Sequence, residues 1–276
     1  MIANEALRAA IALLRAGGIE DAALDARLLL AHALGIAQDR LTLHLAEAMT
    51  TPQGVAYEAA ITARLARQPV AQIIGQRQFW GLTFRVTQDT LDPRPDTEAL
   101  VAEALKMPFQ TMLDLGTGTG CILLACLHAM PKAQGLGVDL SPAALAVAES
   151  NSAALGLTAR ASFRPSDWFS SVTGRFDLIV SNPPYIAADE MPALAPEVRD
   201  WEPHLALTPG GDGLGPYRIL AREAPAHLTG HGRLLVEIGP TQGQAVVSLF
   251  AAAGLHDIRI LPDLDGRDRV VAATMA

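Results

Sequence analysis

The chain has 276 residues, half of them apolar, and a formal net charge of −8. That length allows one large domain, or a full domain plus a smaller one, with a substantial core. The acidic balance speaks against affinity gained by coating a phosphate backbone. The two cysteines, Cys121 and Cys126, do not share a helix face, so neither a disulfide nor a metal pair is expected, and a reducing, cytoplasmic setting fits.

The first 70 residues predict a helical bundle. The opening MIANEALRAAIALLRAGG scatters charges through its apolar run, as an amphipathic helix does and a signal peptide does not, and no later run reaches the roughly 18 apolar residues of a membrane span. Leu7, Ile11 and Leu14 recur at helical spacing; so do Leu24, Leu28 and Ala31, then Tyr57, Ile61 and Leu65. Residues 71–90 form a linker in which IIGQRQFWGLTFRV, from Ile73 to Val86, predicts a two-stranded hairpin. From 91 to 276 the pattern alternates. PRPDTEALVAEALK is a helix that Asp96 or Thr97 can cap; TMLDLG, GLGVDL, ASFRPS and FDLIVSN are strands; CILLACLHAM and PAALAVAESNSAAL are helices between them. This is α/β with a parallel sheet. The segment from Pro183 to Gly213 is proline-rich and aperiodic, and loops of that length usually serve function.

In DLGTGTG, Asp114 to Gly120, a strand runs into a glycine turn and then a helix, so backbone N–H groups face a closely approaching ligand. Gly116, Gly118 and Gly120 are spaced Gly-x-Gly-x-Gly, with Cys121 where the third glycine of a dinucleotide fingerprint would fall, which argues against NAD. The next strand ends in Asp139, placed to take both hydroxyls of a ribose, while Ser141 and Pro142 can open the following helix without it. The turn resembles that of the Rossmann-like S-adenosylmethionine-dependent methyltransferases. In that resemblance SDWF flanks the adenine: Asp167 can accept from the exocyclic amine, and Trp168 either covers a ring face or simply packs.

The fourth strand ends in Asn-Pro-Pro-Tyr, residues 182–185. The tetrapeptide resembles the signature of methyltransferases acting on planar amino or amide nitrogens. The lone pair of such a nitrogen is delocalised, so the site must work by position. The Asn182 side-chain oxygen and the Pro183 carbonyl can each accept one N–H of the target, and Tyr185 can stack on its flat face. The seven histidines are scattered without ligand spacing, so no metal is expected, and Glu237 reads as a hydrogen-bonded or solvated strand-end glutamate.

Taken in order, FWGLTFRV, LDPRPDTEALV, DLGTGTG, DWF, RFDLIVSNPPYI, Glu202-Pro203, LLVEIG and GRDRVV resemble the protein-(glutamine-N5) methyltransferases that modify peptide chain release factors, over nearly the whole chain. That resemblance implies a class I methyltransferase fold: a seven-stranded, mostly parallel sheet with helices on both faces and its last strand inserted antiparallel. It makes residues 1–70 a helical substrate-docking domain, 71–90 the hairpin linker and 91–276 the methyltransferase domain. It implies methyl transfer from S-adenosylmethionine to the glutamine side-chain amide in the Gly-Gly-Gln loop of class 1 release factors. Gly116, Thr117, Gly118, Thr119, Gly120, Asp139, Asp167, Trp168 and Asn182 would bind the cofactor, and Asn182, Pro183, Pro184 and Tyr185 would receive the substrate, with Asn182, Pro183 and Tyr185 acting on the reacting amide. Arg94 and Glu98 would line the cleft mouth; Asp92 departs from the apolar residue expected there. Two other readings are a ribosomal-protein glutamine methyltransferase and a nucleic-acid N6-adenine methyltransferase. Residues 1–85, with eight arginines against seven acidic residues, carry no basic footprint for the latter. A monomer with no nucleic-acid or membrane partner is expected.

Overall fold

The computed structural model describes residues 1–276 as two units. The first contains Met1–Gly75 with Ala195–Trp201, and the second Gln76–Leu194 with Glu202–Ala276. The first unit is built from α1 (Ala3–Ala16), α2 (Ala22–Leu34), α3 (Leu41–His44), α4 (Thr51–Leu65) and α5 (Val70–Ile74). A capping box starts α4: Thr50 Oγ1 accepts from the Gln53 N–H, and Gln53 Oε1 accepts from the Thr50 N–H at 2.9 Å. Gly35, at φ 69°, ends α2 in the left-handed conformation that glycine adopts without strain. Leu7, Leu14, Leu29, Leu30, Tyr57 and Ile61 are buried together, but Leu24 is 50% and Leu65 37% exposed. The expected stripe fails on α2 because this helix packs against both α1 and α4 and so buries two sides, through Ala22, Ala26, Leu29 and Leu30. Arg64 completes the unit. Its Nε donates to Asp25 Oδ2 at 2.7 Å and its Nη1 to Glu197 Oε1 at 3.0 Å, joining residues distant in sequence.

In the second unit the hairpin is β1 (Gln76–Phe79) and β2 (Leu82–Arg85), followed by α6 (Glu98–Leu105), β3 (Thr111–Leu115), α7 (Cys121–Ala129), β4 (Gln134–Asp139), α8 (Pro142–Ala154), β5 (Ala161–Pro165) and β6 (Phe176–Ser181). The one-turn α9 (Pro196–Arg199) lies in the segment belonging to the first unit. Then come α10 (His204–Leu207), α11 (Gly215–His227), β7 (Leu228–Glu237), α12 (Gly243–Ala252), β8 (His256–Pro262) and β9 (Asp268–Thr274). The seven strands run β5-β4-β3-β6-β7-β9-β8, and β9 alone is antiparallel to its neighbours, as the resemblance implies. Alternate residues of the strands go to opposite faces. Met112, Leu178, Val180 and Leu235 pack with α6 and α7, whereas Leu113, Leu115, Ile179 and Leu234 pack with α11 and α12.

Two expectations need correction. The hairpin begins at Gln76, because Ile73 and Ile74 complete α5 and pack on the helical core, and Gly75 at φ 78° ends that helix. Neither Asp96 nor Thr97 caps α6. The chain enters this helix through a 3-10 turn, Pro95–Thr97, while the Asp96 carboxylate pairs with Arg269 at 3.0 Å and the Thr97 hydroxyl accepts from Asn182.

One buried side chain ties the hairpin to the glycine turn. Asn151 on α8 is 2% exposed; its Oδ1 accepts from the Arg85 N–H at 2.7 Å, and its Nδ2 donates to the carbonyls of Arg85 at 3.1 Å and Thr119 at 2.9 Å. Asn151→Ala strands these backbone groups, and urea denaturation is expected to register a loss of about 2–4 kcal/mol. Unchanged stability would show that water or a backbone shift replaces the clamp.

Candidate active site

β3 lies between β4 and β6, with Leu115 in register with both Val138 and Ser181, so the carboxyl ends of three strands meet where the strand order reverses. Open α/β sheets bind ligands at such a crevice. The turn leaving β3 is fixed from both sides. The N–H groups of Gly116 and Thr117 both donate to the Val138 carbonyl at 2.9 Å, and the Gly118 N–H donates to Asp139 Oδ2 at 2.9 Å. Gly116 and Gly118 adopt φ 72° and 53°, and a Cβ at either would enter open space at the cavity. Gly120, at φ 78°, does other work. It begins α7, and a Cβ there would come within 3.1 Å of Leu124 Cδ1 and 3.2 Å of Ala148 Cβ, so it permits close helix packing. Asp139 Oδ1 accepts from the Ser141 N–H at 2.9 Å, while Ser141 Oγ caps α8 by accepting from the Ala144 N–H at 3.2 Å.

A cavity of about 200 Å³ opens on this turn. Of the residues marked by the sequence, Gly116, Thr117, Gly118, Thr119, Asp139, Asp167, Trp168, Asn182, Pro184 and Arg94 form its wall. Gly120, Pro183, Tyr185 and Glu98 do not. Glu98 Oε1 instead accepts from the Trp80 N–H at 2.7 Å and holds the hairpin turn. Tyr185 packs against the core cluster beneath α11, its carbonyl accepts from Gln242 Nε2 at 2.9 Å, and burial pushes its phenol up to about 12. Gly213 lies against that carbonyl so closely that a Cβ would be 2.3 Å away. Trp168 borders the cavity and packs on the core.

Asn182 directly follows β6. Its Nδ2 donates to Thr97 Oγ1 at 3.3 Å, which turns Oδ1 the other way as an acceptor. Thr97 is 2% exposed and lowers the carboxyl of Glu237, which burial nevertheless pushes up to about 7. Thr97 was expected only as a cap; the sequence carries no sign of this second role, because its partners lie far along the chain. Asp114, fully buried, accepts from Thr117 Oγ1 at 2.7 Å, and burial raises its carboxyl to about 7 against the lowering effect of that bond. Glu202 accepts from Arg94 Nη2 on both oxygens at 2.7 Å; burial raises its carboxyl too, to about 7, more than Arg94 lowers it. No cluster of three or more His, Cys, Asp or Glu side chains is arranged to hold a metal ion, and no helix is long and apolar enough to cross a membrane.

Comparison with known proteins gives consistent matches. The model of the PrmC N-terminal domain matches residues 5–75, and that of the methyltransferase small domain matches residues 87–200. A release factor glutamine methyltransferase of Cereibacter sphaeroides is 62% identical over 275 residues, spanning 100% of this chain and 99% of that protein. One of Rhodospirillum rubrum is 46% identical, spanning 94% and 81%. A solved methyltransferase of Pyrococcus furiosus shares the fold at a TM-score of 0.55 with 14% identity, covering 77% of this chain and 96% of that one.

Asp139 both fixes the turn and borders the cavity. Asp139→Ala is expected to weaken S-adenosylmethionine binding by roughly 1.5–3 kcal/mol in calorimetry, the range of a lost charge-assisted hydrogen bond. Unchanged affinity would remove Asp139 from the binding site.

Proposed function

The chain belongs to the release factor glutamine methyltransferase family, and from that premise we propose that it transfers a methyl group from S-adenosylmethionine to the side-chain amide nitrogen of the glutamine in the Gly-Gly-Gln loop of class 1 peptide chain release factors. The observation that carries the reading is Asn182, fixed at the end of β6 on the cavity wall with its amide NH₂ committed to Thr97.

The residues present fit the cofactor. Gly116 and Gly118 leave room where any side chain would intrude, and the Asp139 carboxylate, although each oxygen holds one backbone N–H, keeps further lone pairs for ribose hydroxyls. Asp167 and Trp168 border the same cavity and suit an adenine edge and face. S-adenosylmethionine supplies an electrophilic methyl group when bound there.

The protein's part is to hold a poor nucleophile in place. The Thr97 oxygen, beside the buried Glu237 carboxyl, accepts from Asn182 Nδ2. Asn182 Oδ1 is thereby fixed as an acceptor for one N–H of the target amide, and the Pro183 carbonyl is assigned the other. Prolines at 183 and 184 stiffen the backbone that carries these acceptors and compete for no hydrogen bond themselves. No histidine borders the cavity, and none is required, because an amide nitrogen that has gained an alkyl group becomes acidic enough to release its proton to water. Tyr185 is assigned a supporting role beneath the tetrapeptide, through the core contacts of its ring, in place of stacking on the substrate.

We assign the helical unit to docking the release factor, since a folded protein substrate needs more surface than a 200 Å³ cavity offers. A monomer acting in the cytoplasm, with no nucleic-acid partner, accords with the acidic balance of the chain.

Asn182→Ala removes the oriented acceptor. At saturating cofactor and with a whole release factor as substrate, turnover is expected to fall on the order of 10²-fold or more, while a melting curve reports an intact fold. Turnover equal to wild type would make the tetrapeptide purely structural and end the amide-orienting mechanism.

A further inference from the structure

Four carboxylates border the cavity, and three are accounted for. Asp89 is exposed and takes the Thr87 hydroxyl at 3.1 Å, Asp139 holds the glycine turn, and Asp167 is exposed beside Trp168. Asp92 is different. It is 5% exposed, yet its Oδ1 has no hydrogen-bond partner. The nearest cation on the wall, Arg94, is already engaged: its Nη2 reaches both oxygens of Glu202 at 2.7 Å. The local arrangement thus commits Arg94 to Glu202 and leaves Asp92 Oδ1 without a hydrogen-bond partner. Burial raises the Asp92 carboxyl, and the charges of Arg94 and Arg77 act against that.

A buried carboxyl with an unpaired oxygen, in a residue bordering a ligand cavity, is costly unless a ligand brings the partner. S-adenosylmethionine carries two positive groups, a sulfonium with no N–H to give and an α-ammonium with three. Only the ammonium can both balance the charge and donate to an oxygen acceptor. We propose that the Asp92 carboxylate receives the α-ammonium of the cofactor's methionyl end. The assignment rests on the reading of the cavity as the cofactor site and adds to it a residue that anchors the amino-acid end, opposite in role to Asp139.

Three probes separate the possibilities: S-adenosylmethionine has ammonium and sulfonium, S-adenosylhomocysteine has the ammonium alone, and 5′-methylthioadenosine has neither. Their dissociation constants are measured by calorimetry on the full chain and on Asp92→Asn, with Asp92→Leu as a second variant lacking both charge and hydrogen-bond capacity. Expected is a loss of roughly ten- to a hundredfold for the first two ligands, with methylthioadenosine affinity unchanged, which also shows that the variant cavity is folded. Weakening confined to S-adenosylmethionine would place the carboxylate against the sulfonium and overturn the assignment. An equal loss for all three, or no loss for any, would overturn it as well. Failure of the wild-type chain to bind any of the three would instead bring down the cofactor reading itself, and this assignment with it.

Discussion

The hydrogen bond from the Gly118 N–H to Asp139 Oδ2, 2.9 Å long, is the constraint on which the site depends. It joins the turn after β3 to the end of β4, so two adjacent strand ends become one rigid rim. Gly118 reaches that position at φ 53°, where a side chain would be strained and would also project toward the cavity. The same carboxylate binds the Ser141 N–H while Ser141 caps α8, so one charged group sets the turn and the start of the next helix.

From that rim the remaining parts follow by register. Leu115 pairs with Ser181, and Ser181 Oγ donates to the Leu115 carbonyl at 2.7 Å, which locks the end of β6 beside the glycine turn and sets Asn182 at the crevice. Thr97 then turns the asparagine amide by accepting from its Nδ2. Asp114, Glu202 and Glu237 are each buried and each raised to about 7, so the crevice is backed by carboxyls that hold less negative charge than their number implies.

Much of this was legible in the sequence. Glycine spacing located the turn, and the strand ending in Asn-Pro-Pro-Tyr brought Asn182 and Pro184 to the cavity wall. Alternation of strand and helix patterns gave the sheet, since each buried parallel strand reads as an apolar run. What escaped were properties that depend on residues distant in sequence. Leu24 has the spacing of a core residue but faces outward, because α2, packed against both α1 and α4, chooses its buried faces from its neighbours. Tyr185 and Gly120 belong to recognisable motifs yet serve packing, and only the positions of α11 and Ala148 reveal it. Thr97 looked like a helix cap, whereas its partners Asn182 and Glu237 lie some 85 and 140 residues away. Asp92 stood out as an oddity, and its burial beside the Arg94–Glu202 pair gives that oddity a chemical meaning.

The central claim is that the site orients a glutamine amide for methylation. The most direct test incubates the full chain with S-adenosylmethionine and a class 1 release factor, digests the product and locates the added methyl group by fragment mass spectrometry. The account predicts a single methyl group on the side-chain nitrogen of the Gly-Gly-Gln glutamine, and none when that glutamine is replaced by glutamate. A methyl group on any other residue, or methylation that survives the replacement, would contradict it.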